Sequence, residues 1–240
     1  MRYLLLFALL GLNFSNHAQS ITAEELLNRS IQFHDPMGRW ATAEMELVIE
    51  MQIPDRPSRV SKVTINNEKG SFGVSYISKG HLLNYEVDGL DTATVYADFM
   101  PATGRTDIDS LDLSEERARR WRNYYSYLYG LPMKLKDPGT ILDPEVRNDS
   151  FNGQDVMALK VTYEAEVGGD VWYFYFHAET YAMIGYRFYH DESINDGEYI
   201  VLDEMEIANG LRIPKNRYWY INEDARFLGA DMLRSLKVTN

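Results

Sequence analysis

Cysteine is absent from the 240-residue chain. Its absence excludes a disulfide framework and cysteine-based metal or nucleophile sites, and with them the lipidated cysteine that anchors a bacterial lipoprotein. Basic residues are scarce, 24 Lys and Arg against 36 Asp and Glu, for a formal charge of −12. A surface of that sign repels phosphate backbones and anionic headgroups, which argues against nucleic-acid binding. Beyond the first dozen residues no apolar run approaches the ~20 needed to span a bilayer. The motifs G-x-S-x-G, H-E-x-x-H, G-x-x-x-x-G-K-[ST] and G-x-G-x-x-G are all missing, so nucleophile-elbow, zincin, P-loop and dinucleotide-fold readings have no support.

What is present begins with a leader. Arg2 is followed by the apolar run Tyr3 to Leu12, and Ala18 and Ser20 stand at the −3 and −1 positions of a signal-peptidase site. Residues 1–20 read as a signal peptide and 21–240 as a single mature domain, soluble in the periplasm or outside the cell. Losing Arg2 and no acid moves the formal charge to −13.

Thr22-Ala23-Glu24-Glu25 has capping-box form and predicts a helix that buries Leu27 and Ile31 and stops at Asp35-Pro36. From Ala41 the period changes to two. Met45, Leu47, Ile49 and Met51 share one face and Glu44, Glu46 and Glu50 the other, which predicts a long half-buried strand. Further strands follow at 59–66, 70–77, 82–87 and 94–99, separated by turn residues too short for a parallel crossover. After a loop over 101–112, Ser114-Glu115-Glu116 starts a second helix, apolar at Ala118, Trp121, Tyr125 and Leu128 and basic on its far side, ended by Gly130 and Pro132. A second meander runs from Val146 to Val238, with Asn152-Gly153 and Asn209-Gly210 as tight hairpin turns. The fold class is mostly β with a few helices (α+β): one curved antiparallel sheet of ten or eleven strands, a half-open barrel whose inner face the helices cover.

The polar residues nominate no catalytic or metal site. His190-Asp191-Glu192 reads as a solvated turn, His177 as a hydrogen-bonded structural histidine, and Asp107, Asp109 and Asp112 as a solvated loop, because the glycine and glutamate of a calcium loop are missing. Glu164 and Glu166 read as the wet side of a strand. The unusual stretch is Val171 to Phe176, which puts large rings on both faces of one strand. Either a second layer covers its other face or one face lines an apolar ligand site.

Leader, short helix, long first strand, meander, central helix and a closing meander ending in Asp203, Gly210 and Pro214 resemble the LolA/LolB-like superfamily of periplasmic lipoprotein carriers. The stretch Tyr127 to Leu135 is similar to the helix exit of an uncharacterised envelope family with that fold. The resemblance implies an incomplete barrel that shields acyl chains and a buried arginine that latches its closed state; Arg39, beside Trp40, is the nearest candidate by position.

The reading for function is a non-enzymatic binder or carrier of an apolar ligand, a lipid or the acyl chains of a lipoprotein, with no cofactor. Its expected cavity lining is Met45, Leu47, Ile49, Met51, Phe72, Val74, Tyr76, Trp121, Tyr125, Leu128, Trp172, Phe174 and Phe176. The alternative is an envelope adaptor that grips a partner protein and has a filled core. A hydrolase, the third reading, would gather polar groups at a cavity mouth, with His177 beside Asp203 or Glu204.

Overall fold

The computed structural model describes residues 21–89, 92–104 and 108–239. The leader, its cleavage site and Asp107 lie outside the described residues. Helix α1 is Ala23–His34, and a first run of strands follows: β1 (Glu44–Gln52), β2 (Arg59–Asn66), β3 (Ser71–Ser78), β4 (His81–Asp88), β5 (Thr92–Ala97) and β6 (Met100–Pro101). Helices α2 (Ile108–Leu111) and α3 (Glu115–Gly130) separate it from a second run. That run is β7 (Thr140–Phe151), β8 (Gln154–Tyr163), β9 (Val171–His177), β10 (Met183–Tyr189), β11 (Glu198–Ala208), β12 (Leu211–Ile221) and β13 (Phe227–Thr239).

All thirteen strands form one antiparallel sheet in the order β6-β5-β4-β3-β2-β1-β13-β12-β11-β10-β9-β8-β7. Two meanders are thus joined at the middle, where β1 pairs with β13 from Glu44↔Thr239 to Gln52↔Ala230. The outer strands β6 and β7 do not pair, so the sheet curves into a half-barrel without closing. The sheet has thirteen strands where the sequence predicts ten or eleven. Strand β6 is a two-residue piece within what reads as loop, and β7 starts at Thr140 and runs through Asp143-Pro144, which reads as a break. Proline fits there because β7 is an edge strand, and the ladder to β8 shifts register between Leu142 and Val146.

The helices start where their caps are. The Thr22 hydroxyl accepts from the Glu25 amide at 3.2 Å, and the Ser114 hydroxyl accepts from the Arg117 amide at 3.1 Å. Asp35 ends α1 by accepting from the Arg39 and Trp40 amides at 2.8 and 2.9 Å. Helix α1 buries Leu26 and Leu27 against β7 and β12, while α3 lies on β3, β4 and β5. His34 clasps α1 to the sheet. Its Nδ1 donates to the Arg212 carbonyl at 2.7 Å, and its Nε2 accepts from the Met183 amide at 3.0 Å. With both nitrogens committed and the ring buried, desolvation holds the imidazole at a pKa of about 4, so it is neutral.

The strand period is realised as the alternation demands. Met45, Leu47 and Ile49 are buried, and outward Glu46 and Glu50 pair with Lys237 and Arg234, each at 2.9 Å. On β9, Trp172, Phe174 and Phe176 point to the concave side. Outward Tyr175 is covered by Phe151 from the β7–β8 hairpin tip, rings 4.2 Å apart and nearly parallel. That tip, rather than a full second layer, accounts for rings on both faces. It fits because position 185 is glycine: a Cβ there would stand 2.2 Å from the Phe151 ring.

Candidate functional site

Most of the concave face is filled. Trp121 stacks on Tyr125 at 5.4 Å, Tyr125 lies parallel to Phe72 at 6.3 Å, and Tyr76 lies parallel to Tyr85 at 5.8 Å, closing α3 onto the first meander. Beside the C-terminal half of α3 the packing opens into a cleft of about 930 Å³. Its helix wall is Tyr124, Tyr127 and Leu128, and its sheet wall is Phe72, Trp172, Phe188 and Trp219. The rings brace one another: Trp172 stacks on Phe188 at 4.9 Å, Tyr127 meets Trp172 edge-on at 5.7 Å, and Tyr124 lies parallel to Trp219 at 6.3 Å. Asn66, Asn67, Arg122, Lys134, Asp137, Asp170 and Glu198 give the cleft its polar rim. The Tyr127 and Tyr163 hydroxyls bond to each other, and burial lifts Tyr127 far above the usual phenol range and Tyr163 to about 12, so both stay protonated.

Below α3 lies a buried arginine, and it is Arg217. Nη1 donates to the Pro214 carbonyl at 2.9 Å, Nη2 donates to the Leu128 carbonyl of α3 at 3.1 Å, and the guanidinium sits 3.8 Å over the Tyr129 ring. Asp231 stands directly opposite it in the β12–β13 ladder and accepts from the Tyr124 hydroxyl at 3.2 Å. Burial raises the Asp231 carboxyl while Arg217 pulls it back down. Helix, buried arginine and cleft therefore share residues: Leu128 lines the cleft and also accepts from Arg217. Arg39, the candidate by position, is only half-buried and donates to the Asn209 side chain at 2.9 Å.

Of the thirteen residues expected to line a cavity, Phe72, Leu128 and Trp172 do line the cleft. Met45, Leu47, Ile49, Val74, Tyr76, Tyr125, Phe174 and Phe176 belong to the contiguous core. Met51 is half-buried near the end of β1, and Trp121 is half-buried between the guanidinium groups of Arg59 and Arg117, at 5.0 and 4.4 Å. Sequence reasoning missed Tyr124, Tyr127, Phe188, Trp219 and Glu198. Alternation puts Phe188 on the face of Tyr186 and Trp219 on the face of Arg217, but on strands ringed on both sides parity does not say which face is concave.

The polar candidates disperse. His190 Nδ1 bonds Asp170 at 2.8 Å, Asp191 accepts from Ser193, and Glu192 pairs with Lys160 at 2.8 Å. His177 Nδ1 accepts from the Glu179 and Thr180 amides in its own turn, while Glu204 pairs with Lys215 at 2.7 Å. Among the described residues no group of three or more His, Asp or Glu could hold a metal ion, and no helix is long and apolar enough to cross a membrane.

The family model of DUF6503, a family of unknown function, matches residues 2–234, and the chain belongs to that family. No curated protein has significant sequence similarity to it. Among solved structures, a LolA superfamily protein from Nitrosomonas europaea is similar at 12% identity and a TM-score of 0.56, covering 92% of this chain and 95% of that one. A domain assigned to outer membrane lipoprotein sorting, from Vibrio parahaemolyticus, gives 12%, 0.55, 91% and 94%. A DUF1329 family protein from Desulfovibrio piger gives 11%, 0.53, 90% and 92%. The fold is LolA-like.

Proposed function

We propose that this DUF6503 protein is a non-enzymatic periplasmic binder or carrier of an apolar ligand, such as a lipid or the acyl chains of a lipoprotein. The cleft of about 930 Å³ beside α3, walled by seven aromatic rings and Leu128, is the observation that carries the reading. Its size suits a ligand of one or two acyl chains. Each methylene taken out of water contributes ~0.8 kcal/mol, so a dozen supply roughly 10 kcal/mol before the costs of association. Arg217 supports the reading by tying α3 to the sheet through one wall residue of the cleft, so a ligand that shifts the helix must break that bond. The LolA-like fold and the leader-like first twenty residues support the compartment.

The test is a native mass spectrum of protein expressed with residues 1–20 and purified from the cell envelope. The carrier should retain lipid-sized mass and take up a fluorescent fatty acid saturably. Protein that carries no added mass and takes up no probe would sink the reading. An envelope adaptor is the second reading, favoured by a depression of about 530 Å³ on the outer face, where Tyr199, Tyr218 and Tyr220 stand half-buried. It requires that Tyr220→Ala weaken capture of an envelope protein without altering lipid uptake.

A further inference from the structure

Glu198 is the acid that the cleft does not otherwise employ. It follows from the strand register that Val161, Trp172, Phe188 and Glu198 form one row across β8, β9, β10 and β11, each directly opposite the next. Side chains so paired have Cβ atoms ~5 Å apart. Trp219 is the diagonal neighbour of Glu198 on β12, because Glu198 pairs with Ile221 and Ile200 with Trp219. The carboxylate therefore has Phe188 directly opposite and Trp219 diagonal to it on the cleft wall, with Trp172 one strand further along the row. It is half-buried and forms no hydrogen bond or ion pair among the described residues, and desolvation raises its pKa against the opposing pull of the nearby His190. Asp170, nearby on the rim, is bonded to His190 at 2.8 Å. Of the basic rim residues, Lys134 bonds Asp137, and Arg122 lies across the cleft on α3.

We infer that the head group this cleft selects is an ammonium: the ligand is an amphiphile whose cationic nitrogen sits against Glu198 beside the rings of Phe188 and Trp219, with its apolar chain along Trp172, Tyr127 and Leu128. This rests on the apolar-binder reading and adds the class of ligand. An ammonium gains from aromatic faces and from a desolvated carboxylate at once, and it relieves the penalty that burial imposes on Glu198. A carboxylate-headed chain of equal length meets Glu198 as a like charge.

The experiment compares three probes with twelve-carbon chains, dodecyltrimethylammonium, laurate and dodecyl maltoside, titrated calorimetrically below micelle concentrations at pH 7. The ammonium should bind ~10-fold tighter than laurate. Glu198→Gln should cut that ratio several-fold, and Glu116→Gln, which removes an equal charge from the exposed side of α3, should leave it unchanged. Trp219→Leu should lower the ratio as well, which keeps the inference testable should Glu198→Gln fold poorly. Equal affinity for all three probes, or an equal loss of preference in Glu198→Gln and Glu116→Gln, overturns the head-group inference while the carrier stands. No binding of any probe overturns both.

Discussion

Acid should loosen the seat of α1 through His34. In the folded chain its pKa lies near 4 against 6.5 for the free side chain, so the fold keeps it neutral while the unfolded chain takes up a proton first. The contribution is complete above pH ~6.5 and is lost as pH falls from there to ~4. Integrating over that window, about 2 kcal/mol is gone by pH 5 and about 3 kcal/mol by pH 4. Asp231 and Glu198 work in the opposite sense, since burial raises their carboxyl pKa values, and other carboxylates titrate too, so the informative quantity is a difference between variants. His34→Gln removes the titration. At pH 8 it should cost about 1–3 kcal/mol, because the Arg212 carbonyl and Met183 amide lose well-placed partners. Urea unfolding of wild type and variant from pH 8 to pH 4 should show that gap shrinking by about 2 kcal/mol at pH 5. In melting experiments that corresponds to about 4–8 °C for a domain of this size. A gap of the same size at pH 8 and pH 5 would refute the account, because it would mean that His34 titrates alike in both states.

Three other outcomes follow from the packing. Leu128→Trp has the cleft to grow into and should block fatty-acid uptake with little loss of stability, whereas Ile49→Trp, in the filled core, should overpack and cost ~1–3 kcal/mol or more; equal melting losses in the two would mean that Leu128 is ordinary core. Arg217→Met should cost ~3–5 kcal/mol by leaving buried Asp231 without its opposing charge, and the double variant Arg217→Met/Asp231→Leu should recover part of that in thermal unfolding. Gly153→Val and Gly210→Val should each cost ~1–3 kcal/mol, since the glycines hold φ of +74° and +86° at hairpin tips; unchanged melting in both would place them in relaxed loops.

The sequence by itself determined what depends on near neighbours. Thr22 and Ser114 marked the starts of two helices, the Glu44 to Ile49 alternation marked the buried face of β1, and Asn152-Gly153 and Asn209-Gly210 marked hairpins, because a cap, a pleat and a turn are each settled within a few residues. Lacking crossover helices, the chain reads as antiparallel meanders, and its order of elements resembles the LolA-like fold. Tertiary structure decided how that sheet is used. The pairing of β1 with β13 joins residues almost two hundred positions apart and unites the two meanders in one sheet. The packing of the helices on that sheet in turn decides that Met45, Leu47 and Ile49 become filled core, while Tyr127, Phe188 and Trp219 from three separate elements enclose the open space. Nor could the chain announce Arg217, one of many basic residues until β12 carries it beneath the C-terminal turn of α3. Burial is a property of the assembled sheet, so the buried Arg217, the neutral His34 and the desolvated Glu198 exist only once both meanders have closed around the helices.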